Sequence, residues 1–158
     1  MTEPQSWVRV GASHLAGSAA ALAEALKGLA LTWTPRLLVV LAAPHHNLEA
    51  VARELALQLP QTEVIGCTTA GEIAGGRALS DALVLWALGG TGVRVQTGHG
   101  LGTGPELREA AQRAASCLET LERRAHTAMI LLSDGLDWAA IRWKWCGGPM
   151  TPPASTCP

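Results

Sequence analysis

The sequence predicts an α/β domain in which a mixed β-sheet is flanked by helices, in the order β-α-β-α-β-β-β-α-β. Residues 37–42 and 128–132 are uninterrupted apolar runs, which are typical of strands covered on both faces. Leucines at helical spacing occupy stretches between the apolar runs. A glycine-rich loop at residues 89–92 separates two further apolar runs, which predicts an antiparallel hairpin and therefore strands of mixed direction.

The chain begins with a predicted strand and helix. Residues 7–10 form the short first strand, and Ser18 is a suitable N-cap for the helix that follows. Gly28 suits the C-terminal end of that helix. The strand at residues 37–42 comes next, and its lack of alternation places it at the centre of the sheet. The apolar positions of the helix are Leu22, Leu26 and Leu29.

A second helix and a third strand complete a βαβαβ pattern. Asn47 is the predicted N-cap of this helix, and Pro60 ends it. The following β-type run at residues 63–65 leads directly into a turn of small and hydroxyl residues. The apolar positions of the second helix are Leu48, Val51, Leu55 and Leu59.

The second half of the chain is predicted to contain a hairpin, a helix and a last strand. The hairpin pairs residues 82–88 with residues 93–97. Thr103 and Glu106 have the spacing of a capping box at the start of the third helix, with Pro105 in its first turn. Residues 128–132 follow as a buried strand. The apolar stripe of the third helix is Leu107, Ala111, Ala114, Leu118 and Leu121.

Length and composition indicate one soluble globular domain. The chain has 158 residues, of which 48% are hydrophobic and 16% charged. Twelve Lys and Arg against 13 Asp and Glu give a net charge of -1, so we expect no nucleic acid and no acidic membrane as partner. No apolar stretch reaches the roughly 20 residues that span a bilayer, and the N-terminus does not resemble a signal peptide. We therefore expect a cytoplasmic protein.

The cysteines do not predict a metal site. Their spacing contains no Cys-x-x-Cys pair, so neither a zinc ribbon nor a thioredoxin-type motif is present. We therefore expect free thiols, no metal and no cofactor. Only Cys67, which follows an apparent strand, is a candidate nucleophile. The four cysteines are Cys67, Cys117, Cys146 and Cys157.

Residues 66–73, Gly-Cys-Thr-Thr-Ala-Gly-Glu-Ile, are the strongest candidate for a functional site. Glycines permit a tight or left-handed backbone, hydroxyls donate and accept hydrogen bonds, and one carboxylate lies within reach of the same turn. A plain turn after a strand, with a small buried cysteine, would produce the same pattern. The predicted ligand-binding residues of this segment are Cys67, Thr68, Thr69, Gly71 and Glu72. Ser133 and Asp134, at the end of the last predicted strand, complete the candidate site. The alternative role for these two residues is to cap a turn.

This segment resembles the hallmark of the FIST N-terminal domain, a sensory module of signal-transduction proteins. The order of the other segments is also that of such domains: the apolar strand at residues 37–42, the helix from Leu48, the apolar run at 83–88 and the Leu-Leu-Ser-Asp-Gly segment at 131–135. The resemblance implies a sensory domain that binds a small ligand such as an amino acid and is not an enzyme. It also implies a signalling protein, such as a histidine kinase, as the partner that receives the signal.

Two functions of other classes stay open. Some FIST-like proteins resemble haem-linked sensors of nitric oxide, which would require a histidine as axial ligand. A hydrolase with Cys67 as nucleophile would need a base, and His45, His46 and His99 are the available ones. The first of these alternatives would bring haem as a cofactor, and the second would make the protein an enzyme.

Two loops are weaker candidates. Pro44, His45, His46 and Asn47 follow the predicted central strand, but two adjacent histidines seldom ligate one ion, so we expect a solvated loop. Residues 98–104 present several glycines before a helix, as anion-binding loops do. Their spacing matches no nucleotide fingerprint, so a flexible connection is the expectation.

The character of the sequence changes after Asp137. Three of the six tryptophans fall at residues 138–145, and four of the nine prolines fall in the last ten residues. We therefore divide the chain into a partial FIST N-terminal-like domain at residues 1–137 and a Trp- and Pro-rich tail at 138–158 that is disordered or arises from a shifted reading frame. A native short variant is the alternative. An incomplete domain would expose a sheet edge and an apolar face and would compromise ligand binding.

Overall fold

The computed structural model describes residues 1–120 and 126–133. Three α-helices and six strands form within this part of the chain, and short 3₁₀ turns precede and follow the last helix. In chain order the elements are β1 (Trp7–Ser13), α1 (Ser18–Leu29), β2 (Leu37–Ala42), α2 (Leu48–Gln58), β3 (Glu63–Thr68), β4 (Glu72–Ala74), β5 (Arg77–Leu79), β6 (Leu83–Gly89) and α3 (Leu107–Ala115). The predicted α/β class is confirmed.

Four strands form the main sheet, in the spatial order β1-β6-β2-β3. β2 and β3 are parallel, whereas β6 lies antiparallel between β1 and β2. The predicted mixed sheet is therefore confirmed. Its antiparallel strand is β6, which lies between the two earlier strands β1 and β2. β4 and β5 form a separate antiparallel hairpin.

The hydrophobic core lies between one face of the sheet and the helices α1 and α2. Leu38, Val40 and Leu85 on the strands pack with Leu22 and Leu55 on the helices, and all five are buried. β1 approaches α1 so closely at Gly11 that an added Cβ would overlap the carbonyl oxygen of Ala25. Glycine is therefore required there for close packing rather than for flexibility.

The opposite face of the sheet is also apolar, and part of it is exposed. Pairing places Val10, Trp86 and Val39 in one row across β1, β6 and β2. Val39 is buried, whereas Val8 and Val10 on β1 are 45% and 43% exposed. The described helices α1 and α2 both lie on the other face, so β1 keeps an apolar side in solvent.

The predicted second strand of the hairpin, at residues 93–97, does not form. β6 pairs with β1 on one side and with β2 on the other, so both of its hydrogen-bonding edges are occupied. A strand that follows it in the chain consequently cannot pair with β6 as a hairpin.

The predicted strand at residues 128–132 is also wrong. Residues 126–133 have no strand, and Met129, Ile130 and Leu131 are about half exposed. An apolar run adopts a strand only when an edge of a sheet pairs with it, and these residues have no such pairing with the described strands.

The helix caps agree with the sequence at one of three positions. Asn47 Oδ1 accepts a hydrogen bond from the Ala50 amide at 3.0 Å, as predicted for α2. The N-cap of α1 is Gly17 rather than Ser18. Thr103 precedes a 3₁₀ turn and makes no side-chain cap, so the predicted capping box is absent.

The third helix is shorter than predicted and buries a different face. It ends at Ala115, and Ala110 is its buried residue, whereas Ala111 and Leu118 of the predicted stripe are exposed. Leu121 lies outside the described residues. Within the chain described, no helix is long and apolar enough to cross a membrane.

Candidate functional site

The candidate site lies at the edge of the sheet where β1, β2 and β3 end. Because these strands run in the same direction, their carboxyl ends share one edge, and β6 begins there. The helices α1 and α2 also start at this edge, where the Asn47 amide donates to Ser18 Oγ at 2.9 Å. Ligands of open α/β sheets commonly bind beyond the carboxyl ends of strands.

Thr69 and Glu72 form the hydrogen-bonded centre of the motif. The Thr69 amide donates to the carbonyl oxygen of Ala42 at 2.9 Å, which extends the contact between β3 and β2. Thr69 Oγ1 donates to Glu72 Oε1 at 2.5 Å, and the Ala82 amide donates to Glu72 Oε2 at 3.2 Å. Glu72 is only 2% exposed, so its carboxylate ties the turn to the start of β6 from inside the protein.

His46 follows β2 at this edge of the sheet and is buried, which corrects the prediction of a solvated loop. Its side chain is 4% exposed, and neither ring nitrogen has a hydrogen-bond partner within the described part of the chain. His45, whose ring centroid is 4.1 Å away, is exposed as predicted. Two adjacent histidines look alike in sequence, and only the fold directs one of them inward.

The charge state of His46 follows from these surroundings. Burial lowers the pKa of His46 below its ordinary value of 6.5, and the neighbouring His45 lowers it further. Glu72 acts in the opposite direction and raises the pKa of His46. Burial is the largest of the three effects, so the imidazole is neutral at neutral pH.

The side chains of Cys67 and Thr68 lie on opposite faces of the sheet. In β3, side chains alternate between the faces of the sheet. Cys67 pairs with Leu41 on the face away from α1 and α2, whereas Thr68 pairs with Ala42 on the helix side. Cys67 is a half-buried free thiol, and Thr68 and Gly71 are exposed. The motif therefore offers a thiol on one face and a hydroxyl on the other.

The two predicted site residues near the end of the domain are not brought to this turn by a strand. Ser133 is exposed and belongs to a segment without secondary structure. Asp134 lies outside the described residues. Both stay predictions.

The hairpin of β4 and β5 is an element of the site that the sequence analysis missed. Its two-residue turn, Gly75 and Gly76, has φ values of 58° and 73°, as expected for a turn that matches the twist of paired strands. The hairpin contacts the ends of β1 and β6, and His14 Nδ1 lies 3.3 Å from the carbonyl oxygen of Ser80. A Gly-Gly pair between two short runs is the sequence signal that could have identified it.

The glycine-rich segment at residues 98–104 packs against α3, which corrects the prediction of a flexible connection. An added Cβ at Gly98 would overlap the carbonyl oxygen of Ala114, and one at Gly100 would overlap that of Ala110. Gly102 lies one helical turn further along, against Glu106. Alternate glycines therefore allow an extended chain to lie directly on the helix backbone.

Two open grooves are lined by residues outside the motif. One, of about 740 Å³, is at the end of β1 and the side of α1, where Ser13 Oγ donates to Glu24 Oε2. The other, of about 380 Å³, is near the starts of β2 and β3 and includes Arg36 and Arg94. Neither groove contains residues 67–72. Across the described residues, no three His, Cys, Asp or Glu side chains are placed to hold a metal ion.

Comparison with known proteins agrees with the resemblance that the motif indicated. The family model of the FIST N domain matches residues 36–140, which include β2 through α3 and the whole of the motif. No curated protein matches the chain. FIST domains are sensory-type domains associated with signal transduction. Because the match covers more than half of the chain, the chain belongs to the FIST N domain family.

Proposed function

We propose that this chain is a small-ligand-binding sensory domain whose site lies at the carboxyl edge of the sheet, around residues 67–72 and His46. The observation that supports the proposal is the buried His46 ring, whose two nitrogens have no partner among the described residues. Leaving a buried polar group unpaired costs about 1–3 kcal/mol. Unpaired groups of this kind are uncommon in native proteins and often mark a functional site.

The hydrogen bonds divide the motif into residues that shape the site and residues that are free to contact a ligand. Thr69 and Glu72 bond to each other, so they hold the turn in place. The Thr68 hydroxyl and the backbone at Gly71 are exposed. We infer that these two groups make the first contacts with a ligand.

An amino-acid-like ligand fits these groups chemically. Backbone amides and the Thr68 hydroxyl can donate to a carboxylate. Glu72 is 2% exposed, and both of its oxygens accept hydrogen bonds within the protein, so its carboxylate holds the turn that carries these donors. We propose that the response is passed to a separate signalling protein such as a histidine kinase.

The proposal is tested by thermal unfolding of the full chain with each of the twenty amino acids. A ligand that binds the folded state raises the melting temperature, by an amount equivalent to about 2.7 kcal/mol at one hundred times its dissociation constant. We expect Thr68→Val to lose most of that shift and the matched variant Thr91→Val, in the turn after β6 and away from the site, to keep it. No shift with any amino acid, or an equal shift in both variants, would contradict the proposal.

The same protein samples distinguish the two other functions. A Soret band after addition of haem would indicate a haem-linked sensor. Selective alkylation of Cys67 near neutral pH, with the half-buried Cys117 as internal comparison, would indicate an activated nucleophile. Ligand-dependent melting with neither result is the outcome that the proposed function predicts.

A further inference from the structure

The groove of about 380 Å³ lies at the edge of the sheet where β2 and β3 begin, opposite the edge that carries residues 67–72. Its volume is within the range of about 300–1,000 Å³ that is usual for small-molecule sites. Hydrogen-bond donors predominate among its polar lining residues. These polar residues are Arg36, Gln61, Glu63, Arg94, Gln96 and Thr120.

Arg36 has a backbone that is held from two sides. Its amide donates to the carbonyl oxygen of Leu88 at 2.8 Å, and its carbonyl oxygen accepts from the Glu63 amide at 3.1 Å. The residue therefore joins the end of β6 to the start of β3. Arg36 is also exposed, so a fixed backbone presents its cation where a solute can reach it.

The segment at residues 93–96 forms another part of the lining and is tied to β3. Thr97, which follows it, donates its hydroxyl to Glu63 Oε2. The amides of Arg94, Val95 and Gln96 donate to no backbone carbonyl of the described residues. These amides are donors that a solute in the groove can use.

The positive charge of the groove is not neutralised. Neither Arg36 nor Arg94 forms an ion pair within the part of the chain that the structure describes, where the paired arginines are Arg53 and Arg113. Glu63 is the carboxylate of the lining, and one of its oxygens accepts the hydrogen bond from Thr97. Two guanidinium groups against one carboxylate leave a positive balance that favours an anion.

We propose that this groove binds a small ligand that carries a phosphate group, with Arg36 and Arg94 as the residues that recognise it. The planar guanidinium fork matches two oxygens of a phosphate, and two such groups on different parts of the chain can share its remaining oxygens. The backbone amides at residues 94–96 supply further donors. Because this groove and residues 67–72 lie at opposite edges, the inference goes beyond the function proposed above and does not depend on it.

The test is calorimetric titration of the full chain with sodium phosphate and with glycerol 3-phosphate. The ionic strength is kept constant, since salt screens exposed charges. We expect both compounds to bind saturably. Tighter binding of glycerol 3-phosphate would identify a phosphate monoester as the ligand, and equal affinity would identify free phosphate.

The double variant Arg36→Gln, Arg94→Gln should weaken binding by about tenfold or more, as expected when a hydrogen bond to a charged group is lost. The matched double variant Arg9→Gln, Arg108→Gln changes the net charge equally at exposed arginines outside the groove and should keep the affinity. Arg94→Gln alone, outside all helices and strands, keeps the test informative if the first double variant does not fold.

Three results would overturn the phosphate site. The first is no saturable binding of either compound by the wild type. The second is an equal loss of affinity in the two double variants, or an unchanged affinity in Arg94→Gln, because binding would then depend on net charge or on other residues. The third is binding of sodium acetate as tight as that of phosphate, which would assign the groove to carboxylates.

Discussion

Thr69 and Glu72 stabilise the turn of the motif, whereas the adjacent Thr68 is exposed to solvent. The sequence placed a hydroxyl and a carboxylate in the same turn, and the structure joins them by a hydrogen bond of 2.5 Å. That bond satisfies a carboxylate which is almost completely buried. Thr68, the adjacent residue of the same type, is exposed and has no comparable structural task.

We expect Thr69→Val to lower the free energy of unfolding by about 1.5–3 kcal/mol, the range for a hydrogen bond to a charged group. The substitution preserves the shape of the side chain but removes the donor to Glu72. Thr68→Val is the matched control and should change stability by less than about 0.5 kcal/mol. Urea unfolding measures both, and equal effects would show that the Thr69 hydroxyl does not support the carboxylate.

The stability of the whole domain should depend on pH through His46. Because its pKa is lower in the folded state than the ordinary value of 6.5, the unfolded state binds the proton more readily. The contribution to stability is complete above pH 6.5 and is lost as the pH falls below it. Urea unfolding between pH 8 and 5 should show this loss in the wild type and a smaller one in His46→Gln. A slope that is the same in both proteins would assign the pH dependence to other groups.

At the scale of elements, glycines determine how closely the chain packs. The segment at residues 98–102 lies on α3 because alternate positions have no Cβ. The exposed side chains between them, His99 and Leu101, point away from that contact. A pattern that resembles an anion-binding loop is in this protein a contact between an extended segment and a helix.

Gly100→Ala should therefore detach this segment from α3. Its Cβ would overlap the Ala110 carbonyl oxygen, and overpacking of this kind costs about 1–3 kcal/mol. Gly102→Ala, where the nearest atom would be 3.0 Å away, should have a smaller effect. Hydrogen exchange of the α3 amides measures the loss, with the amides of β2 as internal reference. Unchanged protection of α3 in Gly100→Ala would contradict the close packing.

At the scale of the whole molecule, the main feature is the asymmetry of the sheet. α1 and α2 cover one face, and Val8 and Val10 on the edge strand β1 are exposed on the other. An exposed apolar edge favours association between copies. The boundary at residue 137 stays a prediction, because the residues from 134 onward lie outside the described part. Sequencing of the locus beyond the Asp137 codon, with translation of all three forward frames, tests it.

The double variant Val8→Thr, Val10→Thr should reduce self-association and change the free energy of unfolding by less than about 1 kcal/mol. Threonine keeps the β-branched shape that suits a strand, and both positions are largely in solvent. Leu57→Gln, which removes a 74% exposed leucine from α2, is the matched control and should have no effect on association. Light scattering over a concentration series measures this, and equal association of the wild type and the double variant would show that the exposed side of β1 does not mediate it.

The sequence by itself determined the alternation of strands and helices up to β3, the Asn47 cap and the family. These features depend on residue spacing and on contacts between near neighbours, which the sequence displays directly. The tertiary structure decided that β6 lies between β1 and β2, that Cys67 and Thr68 face opposite sides, and that His46 and Glu72 are buried. Strand partners and burial result from contacts between distant parts of the chain, so no local pattern specifies them.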